Sequence, residues 1–222
     1  ITELKVSFSR DGFHWDRPYR DAFIPATRVP GSWDRGYVQS VGGICTVVGD
    51  QLRFYYIGFK GGDSSSYMHS NGATGMATLR RDGFASMSTA GEGSLTTRPV
   101  KFSGKYMFVN VNCPAGELKV EILDKNNKVI DGFSADKCKA VTIDSTIQQV
   151  EWNGASDLSS LAGQEVRFRF KLKNGDLYAF WVSPSTNGES NGYVAGGGPG
   201  YTSNKDTEGK KAYEKASGFQ KF

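Results

Sequence analysis

From Val166 to Lys173 apolar and cationic residues alternate strictly, with Val166, Phe168, Phe170 and Leu172 on one parity and Arg167, Arg169, Lys171 and Lys173 on the other. A two-residue period sends alternate side chains to opposite faces of a strand, so this segment predicts a half-buried β-strand with its cations in water. Leu118, Val120 and Ile122 alternate with Lys119 and Glu121 in the same way. The turn Asp124-Lys125-Asn126-Asn127-Lys128 then leads into Val129-Ile130, a hairpin whose asparagines tolerate left-handed backbone. Further strands are expected around residues 98–103, 106–112, 146–152 and 177–182. Asp157-Leu158-Ser159-Ser160-Leu161-Ala162-Gly163 reads as one short helical turn, with an Asp cap and a Gly stop. Long helical periodicity is absent. The fold class is therefore all-β, and residues 96–182 are expected to form an antiparallel β-sandwich with Val120, Ile122, Val166, Phe168 and Phe170 inside.

The first part of the chain has another texture. Its strands are shorter, and a loop, Gly61-Gly62-Asp63-Ser64-Ser65-Ser66, separates two of them. A boundary near residues 90–96 gives three parts: 1–92, 93–185 and 186–222. In the last, Gly196-Gly197-Gly198-Pro199-Gly200 reads as a flexible or extended linker, and Asp206 to Phe222 as one short helix or a disordered tail. Phe8-Ser9-Arg10-Asp11-Gly12-Phe13-His14-Trp15 recurs weakly as Leu79-Arg80-Arg81-Asp82-Gly83-Phe84, each a strand ending in an Asp-Gly turn followed by an aromatic. Two copies read either as a propeller-type repeat or as unrelated hairpin turns.

Composition narrows the function classes. The chain has 222 residues, enough for one large or two modest domains, and its 28 glycines and 13% aromatics suit sheets joined by tight turns. A net charge of +4 spread along the chain lacks the basic stripe of a nucleic-acid binder. No apolar run reaches the roughly 20 residues of a membrane helix. Ile1 stands where an initiator Met would, and Leu4-Lys5-Val6-Ser7-Phe8 already alternates, so a processed or truncated product is expected. Cys45, Cys113 and Cys138 fit no zinc spacing, and neither metal nor cofactor is expected. In an oxidising compartment Cys113 and Cys138 form one disulfide, with Cys45 a small buried hydrophobe in Ile44-Cys45-Thr46-Val47-Val48; otherwise all three are reduced thiols. His14 and His69 lie apart in the chain without a Ser, Cys or metal partner at motif spacing, which argues against a catalytic histidine. Trp152, Tyr178 and Trp181 read as core aromatics, and no Lys or helix pattern follows the glycines as a phosphate cradle requires.

The segment Ser9 to Trp15 resembles the blade-turn motif of the five-bladed propeller glycoside hydrolases, the invertases, levanases and arabinanases. It is also similar to the Asp-box of sialidases, without the residue that motif carries between Asp and Gly. Gln51-Leu52-Arg53-Phe54-Tyr55-Tyr56-Ile57-Gly58-Phe59 resembles a blade strand ending in Tyr-Tyr-x-Gly, and Thr74 to Phe84 resembles the closing blade. The invertase-like group appends a β-sandwich to its propeller, and Gly116 to Asp124, Val166 to Phe170 and Asp176 to Phe180 look like that domain. The resemblance implies partial propeller blades followed by an antiparallel β-sandwich, a carbohydrate partner, and a secreted or periplasmic setting. The family's Asn-Asp-Pro-Asn, Arg-Asp-Pro and Glu-Cys segments, which carry its nucleophile, stabilising Asp and acid, do not occur here.

Glycosidases need two carboxyl groups roughly 5–10 Å apart. One candidate carboxylate stands out, in Gly31-Ser32-Trp33-Asp34-Arg35-Gly36-Tyr37. Trp33 would stack on a sugar, Arg35 would hold Asp34 ionised, and Tyr55 or Tyr56 would supply a hydroxyl; the plainer reading is a blade-edge aromatic beside a surface ion pair. Two function classes follow. The chain is the C-terminal portion of a glycoside hydrolase, inactive without an N-terminal companion, or a non-catalytic carbohydrate-binding or structural module. Self-association is the other way to cover residues 1–92, whose strand edges would otherwise lack partners.

Overall fold

The structure, a computed structural model, describes residues 1–42, 45–62 and 67–219. Ile44 of the expected apolar run, Asp63 to Ser66 of the expected loop, and the last three residues of the tail lie outside the described residues. The strands in chain order are β1 (Phe8–Ser9), β2 (Trp15–Asp16), β3 (Tyr37–Ser40), β4 (Thr46–Val48), β5 (Gln51–Phe59), β6 (Gly72–Arg80), β7 (Met87–Thr96), β8 (Tyr106–Asn112), β9 (Glu117–Leu123), β10 (Asp144–Val150) and β11 (Arg167–Ser183), followed by one short helix, α1 (Lys210–Ala216). The chain is all-β, and its named strands pair antiparallel wherever register is defined.

Two compact units form. One contains Ile1–Thr46 and Arg53–Thr78, the other Val47–Leu52 and everything from Leu79 on. The division falls after Thr78, not at residues 90–96, because β7 hydrogen-bonds along β11 from Leu177↔Met87 to Arg169↔Thr96 and so belongs to the sheet of the second unit.

In the second unit β11 is a single 17-residue strand that absorbs both the 166–173 alternation and the expected strand at 177–182. Its first half pairs with β9 (Arg167↔Leu123 to Lys173↔Glu117) and its second half with β8 (Asp176↔Asn112 to Ser183↔Tyr106). Residues 106–123 and 167–183 thus form one long antiparallel ribbon that turns a corner at 113–116 and 174–175. The corner shifts side-chain parity in both strands, so Met107, Val109, Val111 and Cys113 enter the same core as Leu118, Val120 and Ile122, and Leu177 joins Val166, Phe168, Phe170 and Leu172. Glycine makes this close approach feasible: a Cβ on Gly116 would lie 1.8 Å from the Lys173 carbonyl oxygen, and one on Gly175 would lie 2.6 Å from that of Asn112. Asn174 between them takes a left-handed φ of 44°. The five residues expected inside are all buried.

Local signals held in part. The 124–128 turn forms as expected, with Asp124 Oδ1 accepting from the Asn126 and Lys128 amides and Asn127 at φ 62°. Ser159–Leu161 is a short 3-10 turn, with Asp157 accepting from the Ser159 amide at 2.8 Å. Residues 98–103 instead contribute only an isolated bridge, Val100↔Val166. No disulfide is present: Cys113 donates to the Val141 carbonyl at 3.2 Å and Cys138 accepts from the Val120 amide at 3.3 Å. Burial raises the pKa of both thiols, which keeps them protonated.

The run expected to be a flexible or extended linker is packed, and of the two readings of the tail, a short helix or disorder, the helix is the one that forms, as α1. Phe108 and Asn110 point from β8 to the face opposite the core and are nevertheless fully buried. Trp181 stacks on Phe108 there (5.7 Å, 16°) and donates its indole N–H to the Gly188 carbonyl at 3.0 Å, so Trp181 is not part of the main core. Tyr178 is likewise outside that core, beneath Arg80 at 4.8 Å, whereas Trp152 is within it. Arg80 donates to Asn110, Asp144 and the Val111 carbonyl; Asn110 returns a bond to the Arg81 carbonyl at 2.6 Å. Arg81 is buried, pairs with Asp206 at 2.8 Å, and lies against the rings of Tyr213 and Tyr201 at 5.2 and 5.7 Å. The Asp206 carboxylate also caps the turn before α1 by accepting from the Gly209 amide at 2.9 Å. Gly197 accepts from the Val47 amide at 2.7 Å. The glycine run is therefore a packed turn of the second unit.

The first unit has a small core of Ile24, Ala26 and Val38, edged by Leu4, Phe23, Phe54, Tyr56 and Ala77. Its first turn is held by Asp11, whose Oδ1 accepts from the Phe13 and His14 amides at 2.9 and 2.8 Å while Oδ2 meets His14 Nδ1 at 2.6 Å. The second Asp-Gly turn is built differently. Asp82 itself is left-handed (φ 53°) and the Gly83 amide bonds the Arg80 carbonyl, whereas in the first turn Gly12 carries the positive φ. The two segments share letters but not a hydrogen-bond pattern. Bonds from the His14 amide and ring and from the Phe13 amide hold the Asp11 carboxyl well below the usual carboxylate range. A depressed pKa stabilises above the unfolded value and is lost only as pH falls through the folded one. The Phe13 and His14 amides should therefore stay protected from exchange at pH 4, and Asp11→Ala should remove that protection at pH 4 and above.

Candidate functional site

Val29-Pro30-Gly31-Ser32 is a tight turn in which Pro30 presets φ, Gly31 takes φ 87°, and the Ser32 amide bonds the Val29 carbonyl at 3.1 Å. Around it the Thr27 and Arg28 amides bond the Asp34 and Arg35 carbonyls at 3.3 and 3.1 Å. Asp34 closes this loop with its side chain, Oδ1 accepting from the Thr27 hydroxyl at 2.9 Å and from the Ser32 hydroxyl at 2.6 Å. Asp34 is only 5% exposed. Among the described residues no ion pair joins it to Arg35, so hydroxyl donors, not the neighbouring guanidinium, hold it.

Trp33 lies across two strands of the same unit. A Cβ on Gly58 of β5 would come within 2.5 Å of the indole and 2.7 Å of Asp34 Cβ, and one on Gly75 of β6 within 2.5 Å of the indole and 2.7 Å of the Tyr56 ring. Two glycines thus form a bed for Trp33. Tyr56 packs beside it (5.5 Å between rings, 31°), and burial, with a smaller push from the Asp34 charge, raises its phenol pKa. Trp33 remains 37% exposed.

The candidates expected to act together are divided. Trp33, Asp34 and Tyr56 converge; Tyr55, adjacent on β5, points to the other face and is exposed. Arg35 lines a separate cavity of about 370 Å3 with Arg28, Phe59, Lys60 and Met68. His69 is packed against Tyr37 and Phe59 at 4.5 and 5.3 Å. Asp34, buried and fixed to two hydroxyls, is a loop clasp and is poorly placed to exchange a proton with a substrate. Among the described residues no group of three or more His, Cys, Asp or Glu is arranged to hold a metal. Gly58 ends the Tyr-Tyr-x-Gly string and Gly75 lies in the Thr74 to Phe84 segment, but neither segment pointed to a bed for Trp33, since that role depends on an indole that arrives from another part of the chain.

No protein-family model matches the chain, and neither a curated protein nor a solved structure matches it at a significant level.

Proposed function

We propose that this chain is the C-terminal portion of a carbohydrate-active glycoside hydrolase of the invertase or levanase type, supplying the closing strands of the propeller and the accessory β-sandwich. The catalytic carboxylates then lie on a separate N-terminal portion, and the protein works outside the cytoplasm. The observation that carries this reading is the first turn. Asp11 closes it through the Phe13 and His14 amides, yet Phe13 is 87% exposed and Trp15 63%, and Tyr19, just beyond β2, is 75% exposed. A rigid turn presenting several aromatic rings to water is the surface expected of a blade that docks on a neighbour. The cornered ribbon agrees, since a strand pair that bends over its own apolar face encloses the core of a sandwich.

The purified chain should not hydrolyse aryl glycosides or fructans. Turnover that disappears in Asp34→Asn would contradict the assignment. A second reading, a non-catalytic carbohydrate-binding module, is favoured by the glycine bed that leaves part of the Trp33 indole open. Under that reading the chain alone binds oligosaccharide, and Trp33→Ala abolishes binding.

A further inference from the structure

The cavity that Arg35 lines plays no part in the scaffold described above. Three cations, Arg28, Arg35 and Lys60, surround it, with Phe59 and Met68 as its apolar wall. Its volume of about 370 Å3 falls within the range of small-ligand sites, roughly 300–1,000 Å3. Glu3 offsets the charge of Arg28, so the cations left open to a ligand are Arg35 and Lys60. Arg28 is held there in a left-handed conformation, φ 62°, that arginine seldom adopts. Its amide is tied to the Arg35 carbonyl at 3.1 Å, and its guanidinium is braced by Glu3 at 2.8 Å. Among the described residues neither Arg35 nor Lys60 has an ion-pair partner. The apolar wall is equally fixed: the Phe59 ring meets Tyr37 at 5.6 Å and His69 at 5.3 Å, and rests where a Cβ on Gly72 would come within 2.9 Å of it.

We propose that this cavity binds the acidic group of a charged saccharide, a uronate carboxylate or a sulfate ester. Arg35 and Lys60, which have no ion-pair partner among the described residues, receive the anion beside the Glu3-paired Arg28, and Phe59 and Met68 take the apolar face of the sugar ring. Guanidinium groups suit both oxyanions through paired N–H donors, and the aromatic wall selects a ring over a bare ion. The inference rests on the second reading, a carbohydrate-binding module, and names the class of its ligand.

The test is calorimetric titration of the purified chain with oligogalacturonate, a sulfated oligosaccharide, a neutral fructo-oligosaccharide of matched length, and inorganic sulfate. The expected result is binding of an acidic saccharide that weakens as salt rises and falls about tenfold or more in Arg35→Gln and in Lys60→Gln, with Arg35→Lys retaining part of it. Thermal melts of the variants should match the parent, because both side chains are exposed. Equal binding of neutral and acidic sugars, unchanged in both variants, would overturn the inference and leave the carbohydrate reading standing. Inorganic sulfate binding as tightly as either acidic saccharide would reduce the site to an anion site and overturn the saccharide. Failure of every probe to bind would overturn the inference.

Discussion

Gly116→Ala is expected to destabilise the second unit by about 3 kcal/mol or more, a large share of a domain's net stability of about 5–15 kcal/mol. The methyl group would sit 1.8 Å from the Lys173 carbonyl oxygen and 2.7 Å from that of Asn174, both backbone atoms of the facing strand. A flexible side chain would move aside; here the ribbon itself must separate. Separation costs the Leu172↔Leu118 and Lys173↔Glu117 pairing and opens the core at the corner. Gly91→Ala is the control, since nothing lies within 4 Å of its added carbon and its effect should stay within about 0.5 kcal/mol. Urea melts of the three proteins decide the matter, and near-equal midpoints for Gly116→Ala and Gly91→Ala would refute the corner.

Arg81→Met should cost a similar amount, about 3–5 kcal/mol, by leaving Asp206 as an uncompensated buried carboxylate. Asp206 is 1% exposed and also accepts from the Ser190 hydroxyl and the Glu208 and Gly209 amides, so it cannot turn toward water without releasing the start of α1. Loss should therefore appear first as proteolysis within residues 186–219. Adding Asp206→Asn to Arg81→Met should recover part of the loss, because a neutral amide tolerates burial better than an unpaired charge. If Arg81→Met leaves both the melting midpoint and tail cleavage unchanged, the pair does not anchor the tail.

Both sites lie where the sequence was not readable, whereas the strands and turns around them were. The alternation at 166–173 and 118–122 is a local property of a half-buried strand, and the residues expected inside are the ones buried. The 124–128 turn and the short turn at Ser159–Leu161 were legible for the same reason, since their bonds span only a few residues, although Leu158 and not Asp157 takes the N-cap position. The corner was not, because the parity shift at 113–116 acquires meaning only when paired with that at 174–175. Nor was the packed tail: Arg81 and Asp206 are 125 residues apart, and a glycine-rich run looks the same whether loose or laid against Val47. At the candidate site, Asp34 and Arg35 are neighbours in sequence but diverge in space, since two hydroxyls take the carboxylate while the guanidinium lines another cavity. Arg28 and Lys60 carried no motif and were found through that cavity alone.

The assignment as one portion of a larger glycoside hydrolase is tested most directly by native mass spectrometry of the protein purified from its source. The proposal predicts a species heavier than the 24.2 kDa of this chain, either a complex with an N-terminal companion or a dimer, in which Phe13, Trp15 and Tyr19 lose their exposure. A single monodisperse species of 24.2 kDa, with those rings still accessible to solvent, would contradict it.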